Sequence, residues 1–125
     1  MSSLQKKINK IALCLIAAMV LVSCKSSEQE SVEHLEKGKE LFEKGEYDKA
    51  ILELKTSAQD SDKRGETYYY MALLDEKSNN FKAMKQNLLK VIELDSNNMQ
   101  ARKKLGKVHL LFGALDRALE QAKLL

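Results

Sequence analysis

Apolar residues recur every three or four positions along residues 31–125, which is the spacing of one face of an α-helix. Two such faces come first, formed by Leu35, Gly38, Leu41 and Phe42 and then by Ala50, Ile51, Leu54 and Ala58. The same spacing continues through 88–92, and the chain contains no proline to interrupt it. The pattern therefore predicts an all-α fold from residue 31 onward.

The helical pattern repeats with a period of 34 residues. When 45–50 is aligned with 79–84 and 113–118, Gly45, Asn79 and Gly113 fall at one position, directly after the first predicted helix of each unit. A left-handed residue commonly ends a helix there, and glycine and asparagine adopt that conformation most easily. We therefore expect positive φ at all three, in units that span 31–64, 65–98 and 99–125, the last of them incomplete.

Two further positions of each unit hold mostly small residues, as expected where two helices cross closely. The residues are Gly38, Ala72 and Gly106 in the first helix and Ala50, Met84 and Ala118 in the second. A 34-residue unit of two helices with these positions resembles the tetratricopeptide repeat (TPR). The resemblance implies a helix-turn-helix solenoid of about three repeats, with a groove lined by the first helices.

The N-terminal segment has a different character. Lys6, Lys7 and Lys10 precede an apolar run over 11–22, which is the layout of a secretory signal peptide. A membrane-spanning helix needs about 20 apolar residues, so this run is too short to be one. Leu21-Val22-Ser23-Cys24 resembles the lipobox of bacterial lipoproteins. The resemblance implies removal of residues 1–23 and lipidation of Cys24; the alternative is an ordinary cleavable signal with Cys24 at the cut by chance.

Residues 24–30 would then be the lipidated cysteine and a short solvated tether, since 25–30 contain no apolar residue. In lipoproteins the residue after the cysteine guides sorting, and Lys25 implies transport to the outer membrane, facing the periplasm. Cleavage lowers the 21 lysines and arginines to 18, which matches the 18 acidic residues. The net charge of +3 therefore does not indicate a nucleic-acid partner, and the compartment argues against one.

Residues with catalytic or metal-binding potential are sparse. His34 and His109 are the only histidines, and both stand where the repeat usually has a bulky packing residue. The sequence has no His-x-x-x-His pair, no paired cysteines and no glycine-rich phosphate loop. We therefore predict no metal, no cofactor and no enzymatic activity.

The resemblance places candidate partner-binding residues on the groove side of the first helices. They are Leu35, Lys39, Phe42, Tyr69, Leu73, Lys103, Lys107 and Leu110. Of the neighbouring tyrosines, Tyr68 is expected inside the domain and Tyr70 at the edge of the groove. Lys103 and Lys107 are four residues apart and share a face. They could attract an acidic peptide, an anionic polysaccharide or lipid headgroups, or could simply form a solvated basic surface.

Residues 101–111 and 118–122 are similar to repeats of the TPR lipoproteins associated with exosortase (PEP-CTERM) systems, which are implicated in surface polysaccharide and sorting functions. The resemblance implies a membrane-anchored scaffold that binds a protein partner in the cell envelope. The alternative is a structural accessory lipoprotein of a pilus, secretion or outer-membrane assembly machine.

The last predicted helix pair has apolar residues that its own repeat does not cover. They are Leu111, Leu115, Leu119, Ala122 and Leu125. We expect the chain to be part of a longer array, to associate end to end, or to have this surface covered by a partner.

Overall fold

The computed structural model describes residues 3–8, 10 and 26–125, so that the apolar run 11–22 and Cys24 lie outside the described residues. Residues 3–8 are helical. The remainder forms six helices: α1 Ser27–Glu43, α2 Tyr47–Asp60, α3 Gly65–Lys77, α4 Phe81–Leu94, α5 Met99–Leu111 and α6 Leu115–Lys123. Within the described ranges no β-strand occurs, and no helix is both long and apolar enough to cross a membrane.

The helices pack in consecutive pairs. α1 lies against α2, α3 against α4 and α5 against α6, while each pair also contacts the next along the chain and α1 touches α3. The predicted all-α solenoid of helix pairs is confirmed.

The turns inside the pairs follow the sequence expectation. Gly45, Asn79 and Gly113 have φ angles of 76°, 56° and 69°. An identical backbone hydrogen bond closes each turn, from Glu46 N to Leu41 O, from Asn80 N to Asp75 O and from Ala114 N to His109 O (2.8–2.9 Å). This bond is characteristic of a helix end with a left-handed residue, so the predicted positive φ values are confirmed.

The start of α1 differs from the sequence expectation of a tether over 24–30. The Ser26 hydroxyl accepts a hydrogen bond from Gln29 N, and the Gln29 side chain accepts one from Ser26 N (3.3 and 3.4 Å). This reciprocal arrangement is a capping box, which favours helix formation directly after Ser26. Residues 27–30 are therefore exposed but helical.

The core consists of two clusters along the stack. The first contains Leu35, Ala50, Leu54 and Leu74, and the second contains Ala72, Met84, Leu88, Val91, Ala101, Leu105 and Val108. A Cβ atom added at Gly38 would lie 2.8 Å from Leu54 Cγ. That distance is too short for ordinary contact, so the close crossing of α1 and α2 requires a residue without a side chain.

The junction between the first two pairs is polar although it is buried. Ser31 and Ser57 each donate their hydroxyl to the other's carbonyl oxygen at 2.8 Å, and Ser57 Oγ lies 3.0 Å from Thr67 Oγ1. All three side chains are fully buried. We call this group the hydroxyl cluster; it links α1, α2 and α3.

Candidate interaction surfaces

Three polar contacts join successive first helices and show that α1, α3 and α5 are neighbours on one side of the stack. They are Lys39 Nζ to Glu66 Oε1 (2.8 Å), Tyr69 OH to Gln100 Oε1 (3.0 Å) and Lys104 Nζ to Glu76 Oε2 (2.5 Å). We call this side the first-helix face. It is the side on which the sequence resemblance places the groove.

Lys39 is the most constrained cation of this face. Its ammonium group contacts Glu66 at 2.8 Å and Glu36 at 3.0 Å, and lies 5.7 Å from the centre of the Tyr70 ring. The hydrogen bonds to Glu66 and then Glu36 hold the pKa of Lys39 above its usual range. Lys39 is therefore charged at neutral pH, and a partner that binds it must compete with two carboxylates of the same chain.

Aromatic rings occupy the space between the first two pairs. Phe42 meets Tyr70 edge-on at 5.7 Å between ring centres and Tyr47 at 5.5 Å. Tyr70 is partly buried against the first core cluster and borders Lys39 of the first-helix face. Tyr68 and Tyr69 are partly buried against the second cluster.

Leu35 and Leu73, which were both predicted to line the groove, differ in exposure. Leu35 is 2% exposed and belongs to the first core cluster, so its prediction as a groove residue is wrong. The reason is that its side chain packs inward with Ala50 and Leu54 of α2. Leu73 remains partly exposed on α3.

A cavity of about 610 Å³ lies beside Tyr69, where α3 and α5 begin. Its lining is Gly65, Glu66, Tyr69, Asp95, Asn98, Met99 and Gln100. Met99 is 56% exposed there. Sequence reasoning identified Tyr69 but missed Met99 and Gln100, because the cavity depends on the distance between two helix ends.

Lys103, Lys107 and Leu110 lie together on α5. They line a cavity of about 280 Å³ between α5 and α6, which we call the terminal cleft. Its other lining residues are Arg102, Gly106, Gln121, Ala122 and Leu125. The predicted groove residues of α5 therefore also border this cleft. The side chains of Leu115 and Leu119 are outside the described part of the structure.

The two histidines have different environments. His109 is 5% exposed, and burial, followed by the charges of Lys85 and Arg117, lowers its pKa. It is a packing residue, as predicted. His34 instead places Nδ1 2.7 Å from Glu53 Oε2 and is partly exposed, so it is a polar surface partner rather than a packing residue.

Among the described residues, no group of three or more histidine, cysteine or acidic side chains is arranged to hold a metal ion.

A third cavity, of about 270 Å³, lies between α2 and α3. Its lining includes Asp75, whose pKa is raised by burial although Asn87 Nδ2 donates to its carboxylate at 2.7 Å.

Comparison with known proteins gives matches in structure and none in sequence. No protein-family model matches the chain, and no curated protein matches it. The second TPR domain of Spaghetti (RPAP3), bound to the HSP90 peptide SRMEEVD, has a TM-score of 0.72 at 18% identity, over 78% of this chain and 90% of that one.

Two further solved structures are similar. The TPR2B domain of yeast Sti1 in its pHsp70 complex has a TM-score of 0.69 at 21% identity, over 77% of each chain. MamA has a TM-score of 0.68 at 23% identity, over 99% of this chain and 72% of MamA. Together with the positive-φ turns and the paired helices, these likenesses show that the chain has the fold of a TPR helical solenoid.

Proposed function

We propose that this protein is a non-enzymatic interaction module of the cell envelope, which binds a protein or peptide partner on its first-helix face. The observation that carries the proposal is the cavity of about 610 Å³ beside Tyr69, at the point where α3 and α5 begin. The similar TPR domain of Spaghetti is bound to an HSP90 peptide, which supports a peptide as the class of ligand.

The lining of this cavity suits a peptide segment with one apolar anchor. Met99 and the Tyr69 ring offer apolar surface, while Gln100 and Asn98 add side-chain amides that can bond a peptide backbone. Binding sites commonly combine an aromatic or aliphatic contact with a few placed polar groups. Glu66 and Asp95 make the same cavity unfavourable for a strongly acidic segment.

The membrane part of the proposal rests on the sequence. The lipobox-like residues 21–24 support attachment through lipid on Cys24, and Lys25 supports an outer-membrane position facing the periplasm. The similarity of 101–111 to exosortase-associated repeats supports a role in surface sorting or polysaccharide production. Lipid attachment brings the first-helix face to partners at the membrane.

Site-specific photo-crosslinking in the native host tests the partner. A photoreactive residue in place of Met99 should give discrete protein adducts, because Met99 lies in the cavity. The matched control is Leu52 on α2, which is 64% exposed and outside the cavity. Identical adducts at both positions, or none at Met99, would contradict binding on the first-helix face.

A separate experiment tests anchoring. The Cys24→Ser variant should lose incorporation of labelled fatty acid and should appear in the soluble fraction or as uncleaved precursor. Normal processing with full membrane retention would exclude the lipid anchor without affecting the crosslinking result.

A further inference from the structure

The terminal cleft lies at the same position in its repeat as the cleft between α3 and α4, in which α5 packs. A shift of 34 residues relates its lining to Tyr68, Tyr69, Ala72, Leu73, Glu76, Asn87, Leu88 and Val91. Several of these, among them Ala72, Leu88 and Val91, pack in the second core cluster with residues of α5. The terminal cleft is therefore equivalent in position to the cleft that α5 fills. We call such a helix-binding cleft a helix seat.

The helices already seated show what such a cleft accepts. α5 buries Ala101, Leu105 and Val108, a stripe at spacings of four and three residues. Beside the stripe, Lys104 reaches Glu76 on the edge of the seat, at 2.5 Å. A seated helix thus combines an apolar stripe with a side chain that pairs with the charge on the edge.

The edge of the terminal cleft is cationic. Lys103 and Lys107 are exposed, and the described lining residues include Arg102 but no acid. Lys107 corresponds to Lys39, which binds the carboxylate of Glu66 on the helix seated in the first cleft. The floor is apolar at Ala122 and Leu125, and Leu110, which is about half exposed, takes the edge position of Glu76. The cleft therefore combines an apolar floor with a basic edge.

We propose that the terminal cleft binds an amphipathic helix of a partner protein, whose apolar stripe is flanked by acidic residues. This surface is additional to the cavity beside Tyr69. The apolar stripe would cover Ala122 and Leu125, and the acidic residues would meet Lys103 and Lys107. Complementary charge of this kind accelerates association and selects the partner.

A second copy of this chain is a poor occupant. The face of α1 that corresponds to the buried stripe of α5 is charged and exposed, and it holds Glu33, Lys37 and Glu40. Seating α1 in the cleft would bury these charges against Ala122 and Leu125, which is costly. Two terminal clefts face to face would instead bring their lysines together.

Two synthetic peptides test the proposal against the full-length protein in detergent. Both are fluorescent, are stapled as helices and carry the α5 sequence 99–111 with its apolar stripe. One has Gln100→Glu and Lys104→Glu, because Gln100 corresponds to Glu66, which binds Lys39; the other has Gln100→Lys and keeps Lys104. By fluorescence anisotropy, the acidic peptide should bind about tenfold more tightly, and added salt should reduce the difference.

Variants of the protein then locate the binding. Lys103→Glu together with Lys107→Glu should reverse the preference between the peptides, and Leu125→Asp, which places a charge at the counterpart of the buried Val91, should weaken both. The exposed pair Lys63→Glu and Lys82→Glu is the control and should leave binding unchanged, with far-UV circular dichroism confirming helical content throughout. Equal binding of the two peptides, or no reversal in the Lys103/Lys107 variant, would overturn the proposal. Sedimentation showing self-association that Leu125→Asp abolishes would also overturn it, since the cleft would then hold a second copy.

Discussion

The two junctions between the helix pairs stand at equivalent positions of the repeat but differ in chemistry. At the first, the hydroxyl groups of Ser57 and Thr67 meet in a fully buried contact. At the second, the residues 34 positions later are Val91 and Ala101, which pack in an apolar cluster. The repeat therefore fixes where a neighbouring helix lies, while the local residues decide whether hydrogen bonds or apolar contacts hold it.

The comparison extends to the terminal cleft. Val91 corresponds there to Leu125, which is about half exposed, and Leu73 corresponds to Lys107. The chemistry of each seat matches its occupant, since the hydroxyl group of Ser57 faces Thr67 and Val91 faces an apolar stripe. A seat with an apolar floor and lysines at its edge accordingly favours an apolar helix flanked by acids.

The apolar junction gives the largest expected effect. Leu105→Ala removes a fully buried side chain of the second core cluster and should lower the free energy of unfolding by about 2–5 kcal/mol. Urea denaturation followed by circular dichroism measures the change. Leu52→Ala, at an exposed position of α2, should change it by less than about 0.5 kcal/mol. Similar values for the two variants would contradict the assignment of the second cluster as the core.

The hydroxyl cluster should give an intermediate effect. Ser57→Ala removes the hydroxyl group that bonds the Ser31 carbonyl and the Thr67 hydroxyl, and both remain buried. The free energy of unfolding should therefore fall by about 1–3 kcal/mol. Thr56→Ala is the control, because the Thr56 hydroxyl bonds only back to Leu52 O of its own helix, at 3.1 Å, among the contacts that the structure describes. If Ser57→Ala proves as stable as the control, the first junction does not depend on its hydrogen bonds.

The smallest effect concerns a carboxylate within the second repeat. Because burial raises the pKa of Asp75 in the folded state, its contribution to stability is present below the unfolded pKa and is lost as pH rises through the folded pKa. Asp75→Asn should therefore be slightly more stable than the parent at neutral pH, with the difference disappearing in acid. Melting curves between pH 3 and pH 7 (about the range over which carboxyl groups titrate) measure this; a neutral-pH loss of stability would show that the bond from Asn87 outweighs burial.

Local backbone chemistry made part of this structure predictable. The left-handed conformation of Gly45, Asn79 and Gly113 depends on the residue itself and its own turn, so the sequence was sufficient. The 34-residue period likewise predicted the helix pairs, because each unit repeats the same contacts.

Other features depend on contacts between repeats and could not be predicted from the period. Leu35 was placed on the wrong surface, because its side chain packs against α2 and α3 in the first core cluster. The partner of His34 was missed because Glu53 lies on another helix, 19 residues away.

Hydrogen exchange of the full-length protein, with and without the acidic helical peptide, tests the central claim most directly. Bound peptide should slow exchange at amides of α5 and the C-terminal part of α6, around Lys107 and Ala122, and should leave α1 unchanged. Protection confined to α1, or to the cavity beside Tyr69, would contradict the terminal cleft as the seat for a partner helix.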